Sequence, residues 1–155
     1  MRFKTDYDLL VQQVQDFAAQ DPFYVPLLAN VSALLYGSMA DLNWAGFYLM
    51  QDEKTLCLGP FQGKIACIHI PVGRGVCGTA VQENRPQLVK NVHDFPGHIA
   101  CDAASLSEIV VPIRDGDGKP VGVLDIDSPK EARFDEEDLA GLEDFVRILE
   151  EGIVF

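Results

Sequence analysis

The turn D-G-D-G-K at residues 115–119 is the sequence feature that most restricts the fold of this chain. It separates two apolar runs, 108–114 and 120–127, and Gly and Asp tolerate the positive φ values that tight turns require. The two runs are therefore predicted to be neighbouring antiparallel strands of one hairpin. Glu108 and Asp127 then fall at the same open end of the hairpin, although the turn alone does not fix the register.

The apolar patterns elsewhere predict helices before and after a run of strands. Segments rich in β-forming residues predict strands at 44–50, 55–60, 65–71, 87–91, 108–114 and 120–127. Helical spacing predicts helices at 6–19, 22–36 and 75–82, and a last helix capped by Asp135. This order is typical of an α+β sandwich with helices gathered on one sheet face. The other face must be covered by the short helix and the long connection 92–107, where a small cavity can form.

Length and charge limit the classes of function. The 155 residues are predicted to form a single domain over 1–155, and the formal charge of −12 argues against DNA or an anionic membrane as a partner. The N-terminus lacks the apolar core of a signal peptide, and no apolar run approaches the roughly 20 residues of a membrane span. These features predict a cytoplasmic protein. Its four cysteines are then expected to be core thiols, metal ligands or redox catalysts rather than a disulfide framework.

The four cysteines have different surroundings in the sequence. Cys101 lies in A-C-D-A-A-S, which has no pattern that would bury it, so its thiol is expected to be accessible and is a candidate nucleophile. In I-A-C-I-H-I, strand alternation would place Cys67 and His69 on one face. Cys77 lies at the predicted start of a helix, which would lower the pKa of its thiol. Cys57, between two leucines, is interpreted as a packing residue.

A metal site is the alternative for Cys101. His93 and His98 could join it as ligands, but this spacing matches no familiar metal site, and the chain contains no C-x-x-C pair. We therefore expect no bound metal.

Acidic and aromatic residues supply the candidate binding groups. Asp125 and Asp127 are two residues apart on a predicted strand, so their side chains share a face, and Glu108 would join them at the hairpin end. Such crowded carboxylates raise one another's pKa, which would let one of them donate a proton near pH 7. A solvent-facing pair of acids is the plain alternative. Trp44 and Tyr48 also share a face and would form either core or one wall of the cavity.

These residues together resemble the free methionine-(R)-sulfoxide reductase family of GAF-domain proteins. The resemblance covers nearly the whole chain, and its most specific part is the context of three cysteines. The segments that carry it are N-W-A-G-F-Y, G-P-F-Q-G-K-I-A-C-I-H-I-P-V-G-R-G-V-C-G-T-A, H-I-A-C-D-A-A-S-L-S-E-I-V-V-P and G-V-L-D-I-D-S-P. The resemblance implies a six-stranded antiparallel sheet with the terminal helices on one face and a closed ligand pocket on the other.

The resemblance also implies a mechanism. Cys101 matches the nucleophile that attacks the sulfoxide sulfur and is left as a sulfenic acid, and Cys67 matches the resolving thiol that condenses with it to a disulfide. Cys77 matches a further redox cysteine of variable role. The acids Glu108, Asp125 and Asp127 match the groups that hold the sulfoxide and ammonium of the substrate, and Trp44 and Tyr48 match the aromatic wall.

The reductant and the assembly are likewise implied by the family. Thioredoxin would reduce the disulfide and so consume NADPH indirectly, with no cofactor bound to the enzyme, and the family pattern suggests a homodimer. Two rival interpretations remain at this point. One is a GAF sensor that binds a small ligand without chemistry, and the other is a zinc or redox switch built from Cys101, His93 and His98.

Overall fold

A computed structural model describes residues 4–99 and 101–155. The strands are β1 Trp44–Met50, β2 Thr55–Gly63, β3 His69–Pro71, β4 Gln87–Val89, β5 Ser107–Arg114 and β6 Pro120–Ser128. The helices are α1 Tyr7–Gln20, α2 Tyr24–Ser38, α3 Gly75–Glu83 and α4 Glu136–Gly152, with a short 3-10 helix at Val92–Asp94. Each predicted helix and strand has a counterpart in the described residues, although the strand predicted at 65–71 is reduced to His69–Pro71.

The strands form one six-stranded sheet in the order β3-β2-β1-β6-β5-β4, and all neighbouring pairs are antiparallel. The predicted α+β architecture and the six-stranded antiparallel sheet are therefore confirmed. Strands β1, β6 and β5 lie in the middle of the order, and these are the strands that carry the predicted aromatic and acidic residues.

The hairpin between β5 and β6 has the register that the turn left open. Glu108 lies directly opposite Asp127, and Val110 lies opposite Asp125. The turn is held by the carboxylate of Asp115, which accepts hydrogen bonds from the backbone N–H groups of Asp117 at 2.9 Å and of Lys119 at 3.0 Å. Local turn chemistry thus places the acids of both strands at one end of the sheet.

The two faces of the sheet pack against different layers. One face contributes side chains such as Phe47, Ile109 and Leu124 to a core shared with α1, α2 and α4. The opposite face carries Trp44 and Tyr48 and packs against α3 and the long connection before β5. Alternation along β1 assigns its residues to these two layers. The predicted placement of the terminal helices on one face is confirmed.

The strand predicted at 65–71 is wrong for most of its length. Only His69–Pro71 is paired as a strand with β2, and residues 64–68 form an irregular segment, in which the Ile68 carbonyl still accepts from the Leu58 backbone N–H. The backbone of this segment is hydrogen-bonded to side chains of β1, because Trp44 Nε1 donates to the Lys64 carbonyl at 3.2 Å and Tyr48 Oη donates to the Cys67 carbonyl at 2.9 Å. These side chains take the place of a neighbouring strand as hydrogen-bond partners.

Helix α4 begins with an N-terminal capping box. Asp135 and Asp138 form a capping box, and the Asp138 carboxylate also pairs with the buried guanidinium of Arg133 at 3.2 Å and accepts from Tyr7 Oη of α1 at 2.6 Å. In the described part of the chain, no helix combines the length and hydropathy of a membrane span.

Candidate active site

A disulfide joins Cys67 to Cys101, 34 residues further along the chain, with their Cα atoms 5.5 Å apart. Cys67 comes from the irregular segment 64–68 beside β3, and Cys101 from the connection between β4 and β5. Cys67 is therefore not a strand residue that shares a face with His69, as the alternation predicted. Because Cys67 is not held in the sheet, it can bond to Cys101 in the connection that covers the second face of the sheet.

The disulfide borders a cavity between the sheet and its second covering layer. Seven of the eight predicted site residues line this cavity: Trp44, Tyr48, Cys77, Cys101, Glu108, Asp125 and Asp127. The eighth, Cys67, is bonded to one of them. Helix α3 contributes Gly75 and Val76 to the wall, and the long connection contributes His98 and Ile99. The structure thus brings all eight residues together at one place.

The disulfide-bonded cavity is small. Its volume is about 40 Å³, and a buried water needs roughly 10–15 Å³ on the same measure. In this state the cavity has room for a few waters and not for an amino acid. A larger molecule therefore needs a wider cavity than the one present in the disulfide-bonded form.

Three carboxyl groups lie together at the floor of the cavity. Glu108 and Asp127 face each other across the β5–β6 ladder, and Asp125 precedes Asp127 by two residues on the same strand. Burial, together with the neighbouring carboxylates, raises the pKa of Glu108 well above its usual value. Burial also raises the pKa of Asp125 and of Asp127. Crowding and desolvation therefore keep protons on this cluster at a pH where solvated carboxylates are ionised.

Two oxygens of this cluster have no hydrogen-bond partner among the described residues. They are Oδ1 of Asp125 and Oδ1 of Asp127, and both atoms are buried. A buried acceptor without a partner is costly, because it has lost its water without gaining another donor. The two oxygens can therefore accept a hydrogen bond either from a protonated carboxyl of the cluster or from a donor group of a bound molecule.

Cys77 is buried in α3 beside these acids, and its thiol does not behave as the sequence predicted. Burial, followed by the charge of Asp125, raises the pKa of the Cys77 thiol well above its ordinary value. The prediction that a helix N-terminus would lower this pKa is wrong in direction. A helix dipole contributes about 1 kcal/mol or less at such a position, whereas burial next to carboxylates penalises a thiolate far more.

The donors closest to a metal-binding arrangement are not Cys101, His93 and His98, the set considered as an alternative from the sequence. Cys77, Glu108 and Asp125 are buried, and one donor atom from each lies within 4.8 Å of the others, a set that could hold a thiophilic divalent cation. Cys101 is occupied by its disulfide bond and His93 is exposed. His98 lines the cavity, and its pKa is lowered by burial and by the nearby His93.

The aromatic wall also holds the segment of Cys67. The rings of Trp44 and Tyr48 stack with centroids 5.9 Å apart, and the ring of Phe61 stacks on Trp44 with centroids 5.1 Å apart. The indole N–H of Trp44 donates a hydrogen bond to the Lys64 carbonyl, and the hydroxyl of Tyr48 donates one to the Cys67 carbonyl. Burial raises the pKa of Tyr48, so its hydroxyl keeps the proton that it donates. Trp44 and Tyr48 therefore line the cavity and also hold the backbone of residues 64–67 in place.

Sequence reasoning missed Asn43, which positions the segment after Cys101. Asn43 donates through Nδ2 to Asp102 Oδ2 and to Ser105 Oγ, both at 3.0 Å, and Ser105 and Asp102 line the cavity. Asn43 directly precedes Trp44 in the segment N-W-A-G-F-Y, which is the only signal that could have indicated it. Cys57, the remaining free cysteine outside the cavity, is half-buried in β2, in agreement with its interpretation as a packing residue.

Several known proteins are similar to this chain in sequence and in fold. The family model for the GAF domain matches residues 26–153. The chain is 58% identical over 132 residues to the free methionine-R-sulfoxide reductase of Escherichia coli (strain K12), covering 85% of this chain and 79% of that protein. It is 50% identical over 134 residues to the free methionine-R-sulfoxide reductase of Saccharomyces cerevisiae, covering 83% and 74%. The structure of fRMsr of Staphylococcus aureus in complex with substrate matches with a TM-score of 0.92 at 49% identity, covering 99% of both chains.

Proposed function

Because the chain belongs to the GAF-domain family of free methionine-R-sulfoxide reductases, and is an enzyme of that kind, we propose that it reduces free L-methionine-(R)-sulfoxide through a sulfenic acid on Cys101. The observation that carries this proposal is the disulfide between Cys67 and Cys101 beside an acid-lined cavity. A disulfide of this kind is the product expected when a sulfenic acid condenses with a neighbouring thiol.

In the first step the thiolate of Cys101 attacks the sulfoxide sulfur of the substrate. The sulfoxide oxygen is a poor leaving group until it is protonated, so an acid has to stand beside the nucleophile. The raised pKa of Glu108 and of Asp127 supports this role for the cluster, since a protonated carboxyl can donate. The bond formed between Cys101 Sγ and the substrate sulfur breaks again as the protonated oxygen moves from that sulfur to Cys101 Sγ. Methionine leaves, reduced by two electrons, and Cys101 remains as a sulfenic acid, oxidised by two.

In the second step the thiol of Cys67 attacks the sulfenic sulfur of Cys101. A sulfur–sulfur bond forms, the sulfur–oxygen bond breaks, and the oxygen leaves as water. The Cα separation of 5.5 Å supports this pairing, because it lies within the range that disulfides require. Cys77 is given no redox step here, since its raised pKa keeps it a thiol.

In the third step two electrons and two protons from an external dithiol restore both cysteines. We propose thioredoxin as this dithiol, with NADPH as the distant electron source and no cofactor bound to the chain. A homodimer remains part of the proposal, and sedimentation velocity would test it.

The acid cluster is also proposed to select the free amino acid. A free methionine sulfoxide carries an ammonium group that a residue inside a peptide lacks. The buried oxygens of Asp125 and Asp127 that have no partner among the described residues support a contact with the ammonium group, which donates to them. A protonated carboxyl of the same cluster would donate to the sulfoxide oxygen. The enclosure of the cavity by α3 and the long connection would exclude a peptide by size.

The proposal is tested by a product assay with dithiothreitol as reductant. The wild-type protein is expected to reduce the (R) epimer of free methionine sulfoxide and to leave the (S) epimer and peptide-bound forms unchanged. Cys101→Ser is expected to lose activity by at least about 10³-fold, because the nucleophile is gone. Cys57→Ser is the matched control, since that cysteine lies outside the cavity.

The role of Cys67 needs a second arm of the same assay. Cys67→Ser is expected to release one methionine per protein in a single turnover but to lose thioredoxin-driven cycling. Turnover by Cys101→Ser would refute the nucleophile, and full thioredoxin-driven turnover by Cys67→Ser would refute the resolving thiol. Ligand binding without any reduction by the wild-type protein would favour a sensor instead.

A further inference from the structure

We propose that residues 64–68 form a docking loop for the protein dithiol that regenerates the enzyme, and that this reductant attacks the sulfur of Cys67 rather than that of Cys101. This inference rests on the proposed function, because it concerns how the disulfide of that cycle is opened. It adds the contact surface and the choice of sulfur, which the reaction alone does not fix.

The docking loop presents two unusually exposed apolar side chains. Ile65 is 92% exposed and Ile68 is 62% exposed, the two largest values among the large apolar side chains that the structure describes as exposed. Isoleucine is among the residues most often found inside proteins. The two flank the disulfide-bonded Cys67 in the sequence. The surface around this sulfur is therefore apolar, which suits an apolar partner surface.

The backbone of the docking loop is fixed in place. The Lys64 carbonyl accepts from Trp44 Nε1, the Cys67 carbonyl from Tyr48 Oη, and the Ile68 carbonyl from the Leu58 backbone N–H at 2.8 Å. Three anchors within five residues leave the loop little freedom to turn its isoleucines inward. A preorganised surface also loses less conformational entropy when a partner binds.

The docking loop differs from the rest of the chain in its content of charged residues. The chain has 24 acidic and 12 basic residues, whereas K-I-A-C-I contains one lysine and no acid. An incoming thiolate meets no carboxylate within this loop. On the other side of the disulfide, Cys101 lines the cavity together with Glu108, Asp125 and Asp127. The cavity on that side has a volume of only about 40 Å³, which leaves no room for the thiol of a protein to approach Cys101.

The cysteine that the reductant attacks also determines which cysteine is released from the disulfide first. When the reductant thiolate attacks Cys67 Sγ, the Cys67–Cys101 bond breaks and Cys101 leaves as a thiolate within the cavity, ready for the next sulfoxide. A mixed disulfide then joins Cys67 to the reductant. The second thiolate of the reductant attacks its own sulfur in that bond, and Cys67 is released as a thiolate, which takes up a proton. The dithiol has been oxidised by two electrons and the enzyme disulfide reduced by two.

Ile68 is the better probe of the docking loop, because Ile65 also borders the cavity. We compare Ile68→Ser with Leu9→Ser, which removes an apolar side chain that is 49% exposed on α1. Neither substitution changes the net charge. Ile68→Ser is expected to raise the KM for thioredoxin by roughly fivefold to tenfold, the loss typical of an important interface side chain. Its turnover with dithiothreitol and that of Leu9→Ser with either reductant are expected to stay unchanged.

The attacked sulfur is identified by trapping. Oxidised wild-type protein is mixed with a thioredoxin whose second active-site cysteine is replaced by serine, and the linked peptides are mapped by mass spectrometry. A link to Cys67 is expected, and a link to Cys101 would overturn the assignment.

Two further outcomes separate this inference from the reaction itself. If the wild-type protein reduces the sulfoxide but Ile68→Ser matches Leu9→Ser with thioredoxin, the docking loop is refuted and the reaction stands. If wild-type protein works with dithiothreitol but thioredoxin never supports turnover, the protein dithiol is refuted. Absence of turnover with dithiothreitol would refute the proposed function instead.

Discussion

The cavity places three carboxyl groups and one thiol where burial and mutual repulsion both oppose ionisation. Such groups help a reaction that needs a proton donor, but they also affect folding. A carboxyl whose pKa is raised in the folded state holds its proton longer than the same carboxyl in the unfolded chain. The unfolded state is therefore favoured as the pH rises between the two pKa values.

Glu108→Gln tests both effects of the cluster. At pH below the ordinary Glu value of 4.5 the carboxyl is protonated in both states, so the substitution is expected to change the melting temperature little. At pH 8 the variant is expected to melt higher than wild type by several degrees, since about 2–4 °C corresponds to each kcal/mol in a domain of this size. Thermal unfolding at the two pH values measures the difference.

The same variant is expected to lower the chemical rate by about 10²-fold or more, because a proton donor is removed. The wild-type rate should fall at alkaline pH as the cluster loses its protons. A rate equal to wild type at every pH, or a lower melting temperature at pH 8, would contradict this account. Lys119→Gln on the exposed turn is a control for a charge change outside the cavity.

Single residues were predictable from sequence where their chemistry depends on residue type and spacing. Asp125 and Asp127 share a face because they are two apart on a strand, and Glu108 joins them because the hairpin turn is strong. The pKa of Cys77 was predicted in the wrong direction, since its burial depends on how α3 packs against distant strands. Asn43 was missed for the same reason, because its partners lie about 60 residues away.

At the scale of single elements, α3 is the one whose packing most affects the cavity. It lies over the sheet with Cys77 facing the acids, and Gly78 approaches the end of β3 so closely that an added methyl group would overlap the carbonyl oxygen of Pro71. The absence of a side chain at Gly78 therefore sets the distance between α3 and the sheet edge.

Gly78→Ala is expected to destabilise the fold by about 1–3 kcal/mol, the usual cost of overpacking, and to reduce activity by displacing α3, which forms one wall of the cavity. Gly37→Ala in α2 is the matched control, because nothing lies within 4 Å of a methyl group there. That control is expected to be neutral or to stabilise by about 0.5–1 kcal/mol, since alanine favours a helix more than glycine does. Urea unfolding of both variants measures the two effects, and equal stability would refute the close approach.

Strand β3 marks the limit of pattern reasoning for elements. The sequence I-A-C-I-H-I alternates as a strand would, yet residues 64–67 are not paired with β2. The competing partners are the indole of Trp44 and the hydroxyl of Tyr48, which lie on another strand. No local pattern indicates that two distant side chains will take over these backbone hydrogen bonds. The hairpin β5–β6, in contrast, depends on a local turn and was predicted almost to the residue.

At the scale of the whole molecule, the disulfide closes a ring of the chain that contains β3, α3 and β4. Cross-linking positions 34 residues apart restricts the unfolded chain, and the chain-entropy argument gives a stabilisation of about 3–4 kcal/mol for such a ring. The oxidised and reduced forms should therefore differ in stability as well as in chemistry.

The oxidised wild-type protein is expected to melt about 5 °C or more above the protein treated with dithiothreitol. Scanning calorimetry of the two forms measures the shift. Cys67→Ser is the control, since its melting temperature should not respond to dithiothreitol. Identical transitions for oxidised and reduced wild type would mean that the bond strains the folded state as much as it restricts the unfolded one.

The smallness of the closed cavity has a kinetic consequence. Enzymes that alternate between two redox forms are often slowed by excess substrate, which occupies the form that should be meeting the other reactant. Here the cavity of the oxidised form has a volume of about 40 Å³, which is too small to bind methionine sulfoxide. Saturation curves should therefore rise to a plateau and stay there, however abundant the damaged amino acid becomes.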